Sequence, residues 1–289
     1  MCCVIDATSN RRCPALLPEN SQLRPALAHL PRLPDLLTTA NLCCGVLSAL
    51  FAVQGELTIS CWFIFIAALF DVFDGLAART QGGGSEFGKQ LDSLADMVSF
   101  GVAPGFLVHQ MIGKGLTTWI YLRFLTPDVI PSHTTSLLHW SLWPAYVIGL
   151  AIPIAAGWRL AKFNIDTRQS HGFLGLPTPA NALFWAGLIM WMVEQRSGEH
   201  ESTRWLAEFL FDPVVMAPVV ILLAALMLVE IPLPSLKFTQ TGWRGNEVMY
   251  VLAGLGVVLV IAFGFLAVPL LLFLYLTSPL WGKLFPKPQ

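Results

Sequence analysis

Five carboxylates, Asp71, Asp74, Glu86, Asp92 and Asp96, fall within one short stretch of a chain that holds only 18 acidic residues. They sit in FDVFDGLAARTQGGGSEFGKQLDSLADMVSF, with apolar sequence on both sides. A charge in a membrane span costs from about 2.5 kcal/mol upward and marks a functional position by default. Asp71 and Asp74 are three apart and Asp92 and Asp96 four apart, so a helix places each pair on one face. The run Gly82-Gly83-Gly84 turns the chain between them, and two helices meeting there gather four carboxylates at one membrane edge. Their mutual repulsion calls for cations. Carboxylate oxygens are hard ligands that suit Mg²⁺ or Mn²⁺, and a metal pair about 3.5–4 Å apart clamps the attacking and leaving oxygens of a phosphoryl displacement. Gly75 and Ala78 keep the helix surface small beside the acids, where a bulky nucleotide can approach, and Arg79 offers a planar fork for phosphate. The bland alternative is a solvated helix end whose acids pair with Arg79 and Lys89. The spacing of the whole set is more specific than any one aspartate.

The elements that must hold these residues are membrane helices. Of 289 residues, 55% are hydrophobic and 12% charged, against about 25% charged in soluble domains, and the mean hydropathy is +0.64. Apolar runs near the 20 residues or so that cross a bilayer are expected at Leu36–Val53, Leu57–Ala77, Ser93–Ile112, Leu137–Ala161, Ala180–Val193 and Val214–Ile231. A longer run spans Val248–Leu276. As one helix that run would reach about 43 Å, beyond a core of about 30 Å, so Gly264 and Pro269 are expected to fold it into a hairpin. The stretch 113–136, with Trp119, Tyr121, Pro127 and Pro131, is expected as an interfacial excursion. The fold is thus all-α: a polytopic bundle of six core helices plus a C-terminal apolar hairpin, about eight spans.

Cationic residues orient the bundle. With the N-terminus inside, the cytosolic segments hold Arg11, Arg12, Arg24, Arg32, Arg79, Lys89, Arg159, Lys162, Arg168, Lys237 and Arg244. The opposite face holds only Lys114, Arg123, Arg196 and Arg204. Residues 1–33 lack a cleavable signal pattern and are expected to be a cytosolic arm, with a membrane domain over 34–237 and an extension over 238–289. The six cysteines show no metal-ligand spacing, and the six histidines are scattered. No feature points to nucleic acid.

The set Asp71-x2-Asp74-Gly75-x2-Ala78-Arg79-x8-Gly88-x3-Asp92-x3-Asp96 resembles the signature of the CDP-alcohol phosphatidyltransferase family at all its fixed positions. That resemblance implies displacement of CMP from a CDP-linked lipid by an alcohol. It implies that Asp71, Asp74, Asp92 and Asp96 surround a divalent metal pair, Mg²⁺ or Mn²⁺, and that Asp96 also takes the proton from the attacking hydroxyl. Gly75, Ala78, Arg79 and Gly88 would contact the CDP moiety, and the active site would face the cytosol. Thr38 and Asn41, in the segment that resembles the start of the family's first helix, would approach nucleotide and metals, or serve simply as helix-entry polar groups. The resemblance also implies a homodimer.

Four further segments, SEFGKQLDSLADMVSFGVAP (85–104), RLAKFN (159–164), GLPTPAN (175–181) and EIPLPSLK (230–237), resemble the serine-using bacterial and archaeal branch of the family. The substrates implied are CDP-diacylglycerol and L-serine. Leu91-Asp92-Ser93-Leu94-Ala95-Asp96-Met97 departs from the LDPxADK pattern of glycerol-phosphate transferases. Transfer to glycerol 3-phosphate or inositol phosphate is the alternative. Arg159 and Lys162, three apart on one helix face, would bind the acceptor carboxylate or the lipid diphosphate, or act only as cytosolic anchors that snorkel to headgroups; Asn164 is a weaker candidate. An intramembrane prenyltransferase would need a second acidic cluster on a distant helix, and none follows Asp96. A divalent-cation transporter would carry its acids near the midplane rather than at span ends.

Overall fold

The computed structural model describes residues 32–81, 85–124, 143–165, 173–197, 201–233 and 247–281. The expected Gly82-Gly83-Gly84 turn, the N-terminal arm before Arg32, and Pro127 and Pro131 lie outside these residues. The chain divides into two units, Met1–Arg32 and Leu33–Gln289, and the described helices belong to the second.

Helix α1 (Leu33–Gln54) and helix α2 (Leu57–Thr80) run antiparallel about a turn at Gly55 and Glu56. Their apolar faces give no water-driven reason to associate inside lipid, so small and polar side chains supply the contact. Ser48 and Ser60, both fully buried, clamp the pair: Ser48 Oγ donates to the Ser60 carbonyl at 2.9 Å and Ser60 Oγ to the Ser48 carbonyl at 2.7 Å. Helix α3 (Glu86–Asp96) starts at Ser85, whose Oγ accepts from the Gly88 amide at 2.9 Å. It passes through a π-helical turn, Met97–Val102, into α4 (Ala103–Phe124).

Helix α4 packs antiparallel on α5 (Trp143–Ile165) through small residues. A methyl at Gly101 would meet Ala156 Cβ at 2.9 Å, one at Gly105 the Gly149 carbonyl at 3.0 Å, and one at Gly149 His109 Cβ at 2.9 Å. Backbones approach this closely only where side chains are absent. Helices α6 (Thr178–Ser197), α7 (Glu201–Phe211) and α8 (Pro213–Leu228) complete the central bundle, with α7 and α8 bent 71° about Asp212. Two short strands, β1 (Phe173–Leu174) and β2 (Pro232–Leu233), pair antiparallel. They tie the entry of α6 to the exit of α8.

The last apolar run forms α9 (Glu247–Phe263), a 3₁₀ turn at Gly264–Leu266, and α10 (Ala267–Trp281). A methyl placed on Gly256 would meet both Leu271 methyl groups at 3.4 Å. In a straight helix those two positions would stand about 22 Å apart, so the run folds back on itself. Gly264 makes the turn at φ +55°, a left-handed conformation that costs a side-chain-bearing residue about 1–2 kcal/mol. Phe265 at the tip packs edge-on against Trp62 of α2.

Among the described residues, five helices are long and apolar enough to cross a membrane, six if the bent α7–α8 pair is one span. The apolar stretch Gly254–Thr277 is one of these, and the approach of Gly256 to Leu271 makes it two arms rather than one straight helix. Large apolar side chains stand exposed on α1, α2, α5, α8 and α9, among them Leu50, Leu69, Ile154, Leu222 and Ile261. Surfaces this apolar do not face water in monomeric proteins, and the chain is an integral membrane protein. One expected boundary shifts. The third span does not stop near Ile112, because helix continues to Phe124. The first proline after Pro104 is Pro127, and Thr117 and Thr118 satisfy their hydroxyls on the carbonyls one turn back, at 2.8 and 2.9 Å. The polar residues of 113–124 therefore ride on the helix rather than end it.

Candidate functional site

The last three turns of α2 and the helix α3 bring the acidic residues together against the start of α1. Asp71, Asp74 and Asp92 each offer a carboxylate oxygen, and the three oxygens lie within 4.8 Å of one another. Two oxygens bound to one ion at about 2.0–2.6 Å can be at most about 5.2 Å apart. The cluster thus has the donor chemistry and the spacing of a divalent-cation site. Among the described residues no ion pair joins these acids to Arg79 or Lys89. Glu86, in the first turn of α3, is exposed and stands outside the group.

Asp96 lies one turn beyond Asp92 and is not among the three clustered oxygens, but it is near enough for the charges of Asp71, Asp74 and Asp92 to act on it. Asn41 Nδ2 donates to Asp96 Oδ1 at 3.4 Å. Asn41 is fully buried, its carbonyl accepts from Ser99 Oγ at 2.9 Å, and its side-chain Oδ1 has no partner. Thr38, also buried, directs its hydroxyl at Asp74 Oδ2 at 2.8 Å. So α1 supplies one neutral polar group to each acidic helix. Gly45 permits this approach, since a methyl there would lie 2.3 Å from Ser99 Oγ.

The remaining sequence candidates separate into distinct surroundings. A methyl built on Gly75 meets nothing within 4 Å, so open space lies directly beside Asp74. Ala78 is half-buried one turn further along α2, and Arg79 is exposed in the last turn. Gly88 faces α1, where a methyl would meet Asp35 Oδ1 at 3.0 Å. Arg159 and Lys162 part company. Arg159 is half-buried, with its Nε enclosed and unpartnered, and it lies within electrostatic reach of Asp96 and Tyr275. Lys162 is exposed and ion-paired with Glu230.

Asp35, Tyr275 and the π-turn after Asp96 were not assigned a role from sequence, and Asn164 and Gly175 find partners that the sequence did not give. Asp35 is buried beside Gly88, and an aspartate in the first turn of a helix otherwise reads as a charge favouring the helix dipole. Tyr275, buried in α10, lies in an apolar run that gives no sign of reaching the site. Asn164 bonds Ser93, with Asn164 Nδ2 and Ser93 Oγ 3.0 Å apart, and so holds α5 against the helix that carries Asp92 and Asp96. The π-turn right after Asp96 has no sequence signature; such turns occur often at functional sites. The loop through Gly175 docks under α8: the Gly175 amide donates to the Ile231 carbonyl and Leu176 to Leu226, both at 3.0 Å. Gly175 has φ +73°, and a methyl there would fall 2.5 Å from the Val229 carbonyl.

A family model described as CDP-alcohol phosphatidyltransferase matches residues 31–279. Among curated proteins, the chain is 33% identical to an archaetidylserine synthase of Methanothermobacter thermautotrophicus over 52% of its length. That alignment spans about half the relative as well, 54%. It is 26% identical to a CDP-diacylglycerol–serine O-phosphatidyltransferase of Helicobacter pylori, covering 78% of this chain and 81% of the relative. A protein of the same name from Bacillus subtilis is 27% identical, with 71% and 91% covered.

Proposed function

Because the chain belongs to the CDP-alcohol phosphatidyltransferase family, we propose that it transfers the phosphatidyl group of CDP-diacylglycerol to the hydroxyl of L-serine, giving phosphatidylserine and CMP. The observation that carries the reading is the convergence of Asp71, Asp74 and Asp92 on one point with Asp96 held beside it by Asn41. Serine is the acceptor because it is what the names of the archaeal and bacterial relatives share.

Asp71, Asp74 and Asp92, with Asp96 at the margin, would hold Mg²⁺ or Mn²⁺. When bound, the ions supply charge to the diphosphate and to the acceptor oxygen, lowering the barrier to an in-line displacement. Thr38 fixes the Asp74 carboxylate, so that ligand is oriented before substrate arrives. The open surface at Gly75 admits the cytidine diphosphate close to the backbone, with Ala78, Arg79 and Gly88 along its path. Asp96 accepts the serine hydroxyl proton as the new O–P bond forms, and the phosphoanhydride bond to CMP breaks. Arg159, a fixed cation beside Asp96, would receive the serine carboxylate or the lipid phosphate. The site would face the cytosol, on the side with the excess of Lys and Arg.

The test is CMP release by protein in inside-out vesicles given CDP-diacylglycerol and, in separate arms, L-serine, glycerol 3-phosphate and inositol phosphate. Externally added serine should yield phosphatidylserine and external CMP. Transfer to glycerol 3-phosphate without a serine product would overturn the acceptor, and activity only in right-side-out vesicles would overturn the orientation.

Two predictions follow from the surroundings of the flanking residues. If Arg159 receives the serine carboxylate, Arg159→Ala should raise the serine KM about 10-fold or more, since a charged hydrogen bond contributes about 1.5–3 kcal/mol; a rise in the CDP-diacylglycerol KM instead would assign it to the lipid phosphate. Lys162→Ala, removing an exposed pair of the kind that contributes about 0–1 kcal/mol, should change the serine KM less than about threefold. Equal effects in steady-state kinetics would show that both cations serve substrate. Gly75→Ala should leave the protein as stable or more so, by up to about 1 kcal/mol, because alanine favours helix and meets no neighbour. Gly75→Leu should weaken CDP-diacylglycerol binding by about 10-fold or more if the nucleotide occupies that space, and unchanged binding would place the nucleotide elsewhere.

A further inference from the structure

The returning arm of the C-terminal hairpin, α10, carries a buried tyrosine, Tyr275, back to the acidic end of the bundle. Two separate paths through the fold place it there. The hairpin tip meets α2 where the rings of Phe265 and Trp62 lie 5.7 Å apart. Asp71 is about 14 Å further along α2 from Trp62, and Tyr275 about 15 Å along the returning arm from Phe265, at 1.5 Å per residue. The start of that arm is pressed against α6, where a methyl on Gly187 would fall 2.8 Å from Val268 Cβ and 3.3 Å from Pro269 Cδ. The second path runs through α5. Lys162, one turn past Arg159, pairs with Glu230 just before β2, and α10 packs against β2. Tyr275 accordingly lies within electrostatic reach of Arg159.

Arg159 needs such a neighbour. Its Nε is enclosed without a hydrogen-bond partner, and among the described residues no carboxylate stands within ion-pair distance of it. Asp96, the acid within its electrostatic reach, is engaged at the margin of the metal site and with the hydroxyl proton. A carboxylate in place of Tyr275 would neutralise the guanidinium and repel a substrate carboxylate. A phenol does neither, because its oxygen can accept one guanidinium N–H while the positive charge stays available. The donors of arginine form a rigid fork, so steadying one edge sets the direction of the other. We infer that Tyr275 is a positioning residue for the acceptor, aiming the Arg159 guanidinium at the serine carboxylate beside Asp96. The lipid diphosphate belongs instead at Asp71, Asp74 and Asp92, where the cations would lie. The inference rests on the serine reading above and makes the C-terminal hairpin part of the acceptor site.

Steady-state kinetics of the full chain in mixed micelles with CDP-diacylglycerol test it through a double-mutant cycle with Arg159→Ala. Tyr275→Phe keeps the ring and its packing, and it should raise the serine KM about threefold or more, the scale of coupling between neighbouring residues. The CDP-diacylglycerol KM and Tm should hold. In the Arg159→Ala background the same substitution should leave the serine KM unmoved, because no guanidinium remains to aim. A serine KM like that of wild type in Tyr275→Phe, or an equal rise in both backgrounds, would overturn the role. So would a fall in Tm with kcat and both KM values shifting together, which marks packing alone. A rise in the CDP-diacylglycerol KM in place of the serine KM would overturn the assignment to the carboxylate. Wild type that makes no phosphatidylserine would sink the serine reading and this inference together, whereas serine transfer indifferent to Tyr275→Phe would sink the inference alone.

Discussion

Asp71→Asn and Asp92→Asn are each expected to abolish metal-dependent binding of CDP-diacylglycerol and to lower turnover by at least about 10³-fold. The magnitude follows from the several kcal/mol of transition-state charge stabilisation that a bound ion supplies, at about 1.4 kcal/mol per factor of ten. The two residues approach the cluster from different helices, α2 and α3, so the loss of either leaves the other helix's ligands without a partner. The metal-free protein should respond in the opposite sense. Three carboxylate oxygens within 4.8 Å repel one another, and an amide in place of one removes part of that repulsion, so Tm without metal should hold or rise. Added Mn²⁺ should raise the Tm of wild type by ligand linkage and leave both variants nearly unmoved. Thermal unfolding with and without Mn²⁺, alongside CDP-diacylglycerol titration, checks the pair. A metal-induced shift equal to wild type in both variants would remove Asp71 and Asp92 from the metal site.

The acidic site was legible because its residues are costly where they stand. No apolar helix carries Asp71 and Asp74 at its end by chance of composition, and the three- and four-residue spacings fix their faces. The helices were legible for the same reason in reverse, since apolar runs of bilayer length leave few alternatives. What could not be read is the set of contacts made by backbone and by ordinary residues. The approach of α1 to the π-turn depends on Gly45 lying under Ser99, and nothing in either residue announces the other. Arg159 and Lys162, three apart, read as one basic face, yet their surroundings differ because Glu230, far along the chain, takes the lysine. Tyr275 sits in a run whose pattern says only that it is apolar. The hairpin was expected from length, and Gly264 makes its turn.

The segments singled out around the signature acquire a physical reason for occurring together. RLAKFN sends Asn164 to Ser93, between the two aspartates of α3, and Lys162 to Glu230 of EIPLPSLK. GLPTPAN places Gly175 and Leu176 on the carbonyls of Ile231 and Leu226. Each segment thus braces another, and through Ser93 the chain of contacts ends on the helix that carries Asp92 and Asp96. Residues distant in sequence thus meet on the end of the third span, where α3 carries Asp92 and Asp96.

Asp96→Asn is expected to separate chemistry from binding. The clustered oxygens are those of Asp71, Asp74 and Asp92, while Asp96 stands one turn on, bonded by Asn41 and near Arg159. A base must reach the acceptor hydroxyl rather than only the ion, and its position between the acidic cluster and the fixed cation is where an acceptor amino acid would enter. With the three other aspartates intact, the variant should keep CDP-diacylglycerol affinity within about 10-fold of wild type in the presence of Mn²⁺. Transfer to serine should fall by about 10²–10⁴-fold, the range for removal of a general acid or base. Asn41 would still find an acceptor in the new side-chain carbonyl, so the contact between α1 and α3 should persist and Tm should not fall. The decisive quantity is the ratio of lost turnover to lost affinity, compared with Asp92→Asn, where the two should fall together. A ratio near one for Asp96→Asn would make it a fourth ligand with no separate role, and near wild-type transfer would exclude it as the base.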